Sequence, residues 1–323
     1  MNHGAIKRAF STSPRLKQAL RLLLILPLRT YFRYGPRRFG KKVLWKYIAA
    51  HLWWLESRAT AQTEFGSTLR LDAHDLVGRY IYYFGVWEPN LTSWITERLL
   101  PGDGFIDVGA NIGYYSLLAS RLVGDCGKVV AVEALPQIFG TLTDNLKANC
   151  ADNVRPVNMA VWDKEERLRI FTEPQSPSGT TTLMEQWADR WELAASCEVP
   201  AAPLPSILKK EEIKSARLIK IDVEGAEWHV IAGMAPLMSA CRDDLEVIVE
   251  IAPKMLEAEG KTCQDLLDIF KSWGFFPYRI ENDYSAEAYF NHAVPRRPER
   301  TENISTTREQ TDIIFSRVNA SSL

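Results

Sequence analysis

The residues with the clearest chemistry lie in the segment Phe105–Gly113, which reads FIDVGANIG. The segment begins as a short apolar run, reaches an acid at Asp107, and continues through Gly109 and Asn111 to Gly113, after which the spacing becomes helical. This order predicts a strand, a tight glycine turn and a helix, which together form the first unit of a domain that binds a nucleotide-like cofactor. A side chain at either glycine would keep a ligand away from the backbone.

Three further segments place polar groups where parallel strands would end. The second strand, Lys128–Glu133, closes on a carboxylate that can accept hydrogen bonds from both hydroxyls of a ribose. A short third strand leads into Asn158 and Ala160, which we expect at the edge of an adenine. The fourth strand, Leu218–Asp222, ends in an acid and leads into Glu224. All of these groups would meet at the ligand-binding edge of an open parallel sheet.

The spacing of the first turn distinguishes between cofactors. A dinucleotide site prefers G-x-G-x-x-G, whereas this chain has D-x-G-x-x-x-G and no third glycine at the required offset. Asp107 would also repel a pyrophosphate, which binds at a bare helix N-terminus. The same acid suits a cofactor that carries a cationic amino-acid portion and a sulfonium. We therefore expect S-adenosylmethionine, and the alternative of an oxidoreductase is disfavoured.

Four segments of the chain resemble the FkbM-type methyltransferase family: FIDVGANIGYYSLLA, VVAVEALPQIFGTLTDNLKAN, LIKIDVEGAEWHVIAG and VIVEIAP. The similarity covers about residues 65–318, and DVGANIGYYS and KIDVEGAE are its distinctive parts. The resemblance implies an S-adenosylmethionine-dependent O-methyltransferase that acts on sugar or polyketide hydroxyls. Two departures concern the residue after the ribose acid, Ala134 in place of proline, and the segment Pro200–Pro205, which lacks the acid usual in the family.

The residues expected to bind the cofactor divide by the part of the molecule that they contact. The expectation is Asp107, Gly109, Asn111 and Gly113 at the methionine end, Glu133 at the ribose, Asn158 and Ala160 at the adenine, and Asp222 near the reacting methyl group. Some of these residue types have a second explanation. An acid such as Asp107 would stabilise the turn and helix without any ligand, and Gly113 also suits close packing of helix on strand.

Methyl transfer to a hydroxyl requires positioning of the acceptor and a group that removes its proton. The candidate catalytic residues are Asp222, Glu224 and His229, and Glu88 is expected to contact the substrate. Acids at the start of a helix also stabilise it through its dipole, and a histidine inside the helix can simply pack. Mg²⁺ held by Asp222 and Glu224 is an alternative, but no second acidic cluster stands at suitable spacing, so no metal is expected.

A second functional hypothesis is a non-catalytic, membrane-attached binding module that retains the cofactor fold. Asp107 and Glu133 argue against it, because a pocket that no longer binds a cofactor has no need of either acid. The leading prediction is therefore an enzyme that methylates a hydroxyl of a carbohydrate, a glycolipid or a secondary metabolite.

Charge divides the chain into two parts. Twelve of the 39 Lys and Arg lie in residues 1–55, and all 40 Asp and Glu come after residue 55. The basic residues are mixed with Trp and Tyr, a pattern typical of helices that lie on anionic membrane surfaces. The apolar run Leu22–Leu26 is well short of the roughly 20 residues of a spanning helix. A helix packed on the catalytic domain and a cleaved mitochondrial presequence around Arg8–Arg15 are the alternatives.

The compartment follows from the remaining composition. Five scattered cysteines without C-x-x-C spacing favour free thiols in a reducing compartment, so a cytoplasmic protein, peripheral at a membrane, is expected. No nucleic acid is expected as a partner, because the part of the chain that follows the arm is acidic and would repel phosphates.

The order of the predicted elements indicates an α/β fold with a doubly wound, mainly parallel seven-stranded sheet of the methyltransferase-like Rossmann type, whose last strand runs antiparallel. A basic helical arm of residues 1–58 precedes it, followed by a strand and helix preface at 59–100. The predicted methyltransferase domain spans 101–318, with a variable insertion or lid at 172–208 and a tail at 319–323.

Overall fold

The computed structural model describes six ranges of the chain: 21–36, 40–51, 59–173, 181–291, 295–304 and 310–323. The candidate presequence, at residues 8–15, lies outside the described residues. So do parts of the predicted arm, at 37–39 and 52–58, and part of the predicted insertion, at 174–180.

The strands are numbered in chain order. They are β1 Ala59–Gln62, β2 Thr68–Leu71, β3 Gly104–Val108, β4 Lys128–Val132, β5 Val154–Val157, β6 Ala160–Val161, β7 Glu166–Thr172, β8 Thr181–Thr182, β9 Ala194–Ala202, β10 Ala216–Ile221, β11 Glu246–Ile251, β12 Phe276–Ile280, β13 Glu299–Arg300 and β14 Thr311–Ser316.

The helices are numbered in the same way. They are α1 Leu26–Tyr34, α2 Lys41–His51, α3 Leu76–Phe84, α4 Pro89–Arg98, α5 Tyr114–Val123, α6 Pro136–Ala148, α7 Glu185–Arg190, α8 Leu204–Ile207, α9 Lys210–Ser215, α10 Glu227–Ala232, α11 Pro253–Ala258, α12 Cys263–Ser272 and α13 Ala286–Asn291. A π-helical turn, Arg21–Ile25, leads into α1, and a 3₁₀ turn, Ala235–Ser239, follows α10.

The main sheet has eight strands in the order β13-β12-β14-β11-β10-β3-β4-β5. The strands β11, β10, β3, β4 and β5 run parallel, and β14 runs antiparallel to both of its neighbours. These pairings confirm the predicted α/β fold with its antiparallel last strand. The sheet has eight strands rather than the seven expected because the two-residue β13 pairs with the outer edge of β12.

Both faces of the main sheet are buried, as a doubly wound fold requires. Successive side chains of a strand point to opposite faces, and in β3 Phe105 joins one hydrophobic core while Ile106 and Val108 join the other. The first core contains residues of α1 to α6, and the second contains residues of α8, α10, α11 and α12. The polar groups that end these buried strands are therefore held on a rigid frame.

The predicted insertion contributes to a second, smaller sheet in the order β6-β9-β7-β8. Its long antiparallel pair runs from Glu166, opposite Ala201, to Thr172, opposite Ala194. The helix α7 lies between β8 and β9 and buries Trp187. In the chain, the strands of this small sheet lie between β5 and β10 of the main sheet.

The described part of the arm is helical and packs on the domain. Phe32 of α1 is buried, stacks on Phe290 and meets Trp45 of α2 edge to face. Arg33 donates to the carbonyls of Ile81 and Tyr82 at the end of α3. Its positive charge is stabilised there because the C-terminus of a helix carries a partial negative charge. The helices of the described ranges are all too short or too polar to cross a bilayer.

Candidate active site

The glycine turn after β3 is fixed by hydrogen bonds to the end of β4. The amides of Gly109 and Ala110 both donate to the carbonyl of Val132 at 2.9 Å. Gly109 has φ +82, and a Cβ at this position would lie 1.7 Å from the carbonyl oxygen of Asp222. A glycine is required at 109 for two reasons, because the backbone is left-handed and because the neighbouring chain approaches too closely for a side chain.

Glu133 closes the same turn from the other side. One carboxylate oxygen accepts from the amide of Asn111 and the other from the amide of Leu135, each at 2.9 Å. Burial raises the pKa of Glu133 to about 7, although these two amides lower it. The side-chain amide of Asn158 donates to the carbonyls of Glu133 and Ala134 and thereby holds the chain after β4 in place.

A cavity of about 930 Å³ opens at the carboxyl ends of the parallel strands. This volume is within the usual range of small-molecule sites, roughly 300 to 1,000 Å³. Seven of the residues predicted from the sequence line it: Glu88, Gly109, Asn111, Glu133, Ala160, Asp222 and Glu224.

Four predicted residues do not line this cavity. Asp107 is buried, and the hydroxyl of Ser116 donates to its carboxylate at 2.6 Å. A Cβ at Gly113 would lie 2.7 Å from Leu142, so this glycine serves the packing of α5 against α6. Asn158 supports the backbone of Glu133. These three residues therefore underlie the cavity wall without forming its surface.

His229 is the fourth of these residues, and it lies in α10 away from the cavity. Its ring stacks on Trp162 at 3.6 Å, and its nitrogens lie 2.7 Å from Asp163 and 3.0 Å from Glu259. Burial lowers the pKa of His229, but the carboxylates of Glu259 and Asp163 outweigh it and raise the pKa above its ordinary value. These contacts account for a histidine at this position without any role at the cavity.

The turn after β10 forms one edge of the cavity, at Asp222 and Glu224. Lys220 is buried and donates to Asp222 at 2.6 Å, and its ammonium also lies 4.9 Å from the centre of the Tyr115 ring. Burial alone would raise the pKa of Asp222, but the Lys220 ammonium holds it below its ordinary value. Asp222 therefore remains ionised at the cavity wall.

Glu224 follows in a strained turn. Its φ is +53, and the next residue, Gly225, has φ +99. Burial, together with the neighbouring charges of Asp222 and Glu227, raises the pKa of Glu224 to about 8. A carboxylate with a pKa near working pH is well suited to accept a proton. The hydroxyl of Thr182 donates to the Glu224 carbonyl at 3.2 Å, which connects the small sheet to this turn.

Two acids beside Glu88 were not singled out from the sequence. Glu250 of β11 lies directly opposite Asp312 of β14 in the antiparallel ladder, and one carboxylate oxygen from each of the three residues lies within 4.8 Å of the other two. Glu250 and Asp312 are far apart in the sequence, and only the register of β11 and β14 brings them together. Sequence analysis of either segment therefore could not identify this cluster. Burial raises the pKa of Glu250 and of Asp312 well above the ordinary range, and the charges of Asp222 and Asp312 add to the shift of Glu250, as the charge of Glu88 adds to that of Asp312.

This acidic cluster could hold a metal ion, but hydrogen-bond donors already point into it. The hydroxyls of Tyr115 and Tyr284 donate to the two oxygens of Glu88 at 2.5 and 2.6 Å. Asn282 donates to Asp312 at 2.7 Å. These hydroxyl and amide groups give Glu88 and Asp312 hydrogen-bond partners within the protein.

The small sheet and α7 supply the outer wall of the cavity. Trp187 and Trp191 line it with their ring centres 5.3 Å apart, and Arg190 lies over the Trp187 ring at 5.0 Å. In the sequence, this region is a long insertion rich in small and polar residues. Its two tryptophans are the feature that could have indicated a wall of the cavity. The cavity thus has an acidic floor on the main sheet and an aromatic wall on the small sheet.

Comparison with known proteins finds similarity to methyltransferases. The family model for the methyltransferase FkbM domain matches residues 107–277. The hexuronic acid methyltransferase AglP of Haloferax volcanii is 23% identical over 200 residues, which are 61% of this chain and 78% of that protein. Methyltransferase 1 of Beauveria bassiana is 26% identical over 149 residues, 42% of this chain, and the matched part spans 59% of that relative.

The solved structures that resemble this fold share little sequence with it. An S-adenosylmethionine-dependent O-methyltransferase from Thermotoga maritima aligns with a TM-score of 0.40 and 15% identity, and the alignment covers 82% of this chain and 79% of that one.

Proposed function

Because this chain belongs to the methyltransferase FkbM domain family, whose methyl donor is S-adenosylmethionine, we propose that it methylates a hydroxyl of a carbohydrate, a glycolipid or a secondary metabolite. The observation that carries the proposal is the convergence of Glu133, Asp222 and Glu224 on one cavity beside the glycine turn at Gly109. The relative that methylates hexuronic acid supports a carbohydrate as the acceptor.

The charge of the cavity fits this donor. Seven acidic side chains line the cavity, whereas Arg190 and Lys254 are its Lys and Arg residues. An acidic wall stabilises a molecule that carries an ammonium and a sulfonium, and it would repel a pyrophosphate. Glu133 has lone pairs left for ribose hydroxyls after accepting its two backbone amides, because a carboxylate offers about four acceptor positions.

When bound, the donor supplies an electrophilic methyl group on a sulfonium. In the proposed reaction Glu224 accepts the proton of the acceptor hydroxyl, while Asp222, kept ionised by Lys220, adds negative charge beside the sulfonium. Glu88 is held by two tyrosine hydroxyls and lines the same cavity, where it can help to orient the acceptor. The tryptophan wall offers flat apolar surfaces on which a sugar ring could lie.

The partner and location are part of the same proposal. The arm of residues 1–58 is rich in Lys and Arg, and its first acid is Glu56. Such an arm supports peripheral association with an anionic membrane, where a glycolipid acceptor would be found.

The test is incubation of the protein with methyl-labelled S-adenosylmethionine and a panel of glycans, glycolipids and polyketide alcohols. Transfer of label to an acceptor is the expected result. Calorimetry with S-adenosylmethionine and with NAD runs beside it. Binding of NAD alone would overturn the proposal, and donor binding without transfer to any acceptor class would favour the non-catalytic binding module instead.

A further inference from the structure

Exposed hydrophobic side chains are concentrated in the arm. Among the described residues, eight large hydrophobic side chains are exposed, and five of them lie between residues 23 and 47. We call these five the outer arm face: Leu23, Leu24, Tyr34, Val43 and Tyr47. Single exposed hydrophobic residues are ordinary on a soluble protein, but their concentration in the π-helical turn and the two helices that follow it indicates a surface that meets a partner.

The helix α2 shows why this surface is unusual. Its inner side packs on the domain, with Ile48 fully buried and the Trp45 ring 5.4 Å from that of Tyr83. A helix that buries one side normally presents polar residues on the other. Here Val43 and Tyr47 are exposed beside two lysines, Lys42, which pairs with Glu287 at 2.8 Å, and Lys46, which is exposed. Lysine next to tyrosine and an aliphatic side chain is the pattern of a helix at a membrane interface.

We infer that the outer arm face docks on an anionic lipid bilayer, and that it presents the cavity to an acceptor carried by that bilayer. Charge complementarity selects this occupant, because residues 1–55 contain twelve Lys and Arg and no acid. On α2 the exposed Lys46 stands beside Val43 and Tyr47, whereas Lys41 is buried and donates to the Phe32 carbonyl. The helices of the described arm are too short to span a bilayer, so the contact is with its surface. The lipid-borne acceptor rests on the proposed function, whereas the docking itself does not.

The arm and the cavity are joined by one helix. The guanidinium groups of Arg29 and Arg33 bind backbone carbonyls in the last turn of α3. The first turn of the same helix, at Leu76 and Val77, lines the cavity. A nine-residue helix is about 13 Å long and rigid, so docking of the arm fixes the distance of the cavity from the lipid surface. Delivery of a headgroup to the cavity requires such a fixed distance.

The test compares the full-length protein on two kinds of vesicle, phosphatidylcholine alone and phosphatidylcholine mixed with phosphatidylserine. Sedimentation should show binding to the anionic vesicles that weakens as salt rises, and little binding to the neutral ones. The double variant Val43→Asp, Tyr47→Asp should reduce partition at least roughly tenfold, because it loses apolar contact and adds two acids. The control is Leu100→Asp, which changes a leucine outside the arm that is 63% exposed, between the 73% of Val43 and the 55% of Tyr47.

A charge variant tests the electrostatic part separately. Lys46→Glu should lower partition roughly fivefold or more, since one basic residue near an anionic surface contributes about 1 kcal/mol. Unchanged partition of the double variant, binding that ignores lipid charge, or self-association through the arm face in place of vesicle binding would overturn the inference. Calorimetry with S-adenosylmethionine on the same variants reports the cavity alone, so failure of docking and failure of the proposed function are distinguished.

Discussion

Glu224 is the residue that we propose as the acceptor of the hydroxyl proton. It lines the cavity, lies in a left-handed turn, and has a pKa raised to about 8 by burial and by neighbouring carboxylates. A carboxylate at its ordinary pKa would be a poor acceptor for a hydroxyl proton near neutral pH. The strained turn is the structural cost of placing this acid within the cavity wall.

We expect Glu224→Gln to lower the turnover number by roughly a hundredfold or more, because the amide cannot accept the proton. Donor affinity should change little. In the parent protein, activity should increase with pH through about 8 as Glu224 ionises, and the variant should lose this dependence. Steady-state rates across pH, with calorimetry for the donor, provide the measurement. The matched control is Glu211→Gln on the exposed side of α9, and wild-type turnover in Glu224→Gln would exclude it as the base.

Asp107 and Glu133 differ more in the structure than their sequence positions suggest. Both follow a buried strand pattern and both were expected to bind the donor. Only Glu133 lines the cavity, whereas Asp107 lies beneath the turn with its carboxylate bonded to Ser116. Asp107 can therefore act on a ligand through its charge and through the shape of the turn.

Glu133→Gln should weaken S-adenosylmethionine binding by roughly tenfold to a hundredfold, the effect of losing a charged hydrogen-bond acceptor in a buried site. The new amide group would also face the backbone amide of Asn111 or of Leu135, which are both donors. Asp107→Asn should weaken binding less and lower stability more. Calorimetry and urea denaturation of both variants measure the two quantities. A larger affinity loss in Asp107→Asn would mean that Asp107, and not Glu133, holds the donor.

At the scale of elements, the strands of the main sheet could be predicted, whereas the strand pairing of the small sheet could not. The apolar run before Asp107 has the pattern of a buried strand, and the sequence alone shows which polar residue ends that run. Glu250 and Asp312 become neighbours only through the register of β11 and β14, which a single strand does not contain. The wall formed by Trp187 depends in the same way on how β7 and β9 pair across an irregular segment.

The glycine turn offers a matched pair of substitutions. Gly109→Ala should cost at least about 2 kcal/mol of stability, since the methyl group would meet the Asp222 carbonyl at 1.7 Å and the backbone is left-handed. In contrast, Gly140→Ala in α6 should stabilise by roughly 0.5–1 kcal/mol, because among the described residues nothing lies within 4 Å of the added carbon. Chemical denaturation measures both. An unchanged midpoint for Gly109→Ala would show that the turn can move away from Asp222.

At the scale of the whole molecule, the described part of the arm packs into the folded domain. Phe32 and Ile48 belong to the same core cluster as Tyr80 and Phe105. Removal of residues 1–58 would uncover this core, and loss of a buried phenylalanine alone typically costs 3–5 kcal/mol. Point substitutions on the outer arm face therefore test membrane docking more cleanly than a truncation does.

The buried acids also make stability depend on pH. The pKa values of Glu133 and Glu227 are raised to about 7 and that of Glu224 to about 8, in each case first by burial. A raised pKa means that the folded state holds a proton that the unfolded state has released between about pH 4.5 and the folded pKa. The stability of the ligand-free protein should therefore fall as pH rises from about 5 to about 8, by about 1.4 kcal/mol for each unit by which a pKa moves.

A cationic donor should reverse part of this loss, because it stabilises the ionised carboxylates that line the cavity. We expect the increase in melting temperature caused by S-adenosylmethionine to be larger at pH 8 than at pH 6. Glu227→Gln is the informative control: Glu227 is buried below the turn and accepts from the Gly225 amide without lining the cavity. The variant should flatten the pH dependence of the ligand-free protein and keep the additional stabilisation by donor at high pH. A donor effect that is equal at both pH values would mean that the cavity acids do not recognise positive charge, because linkage requires their ionisation to accompany binding.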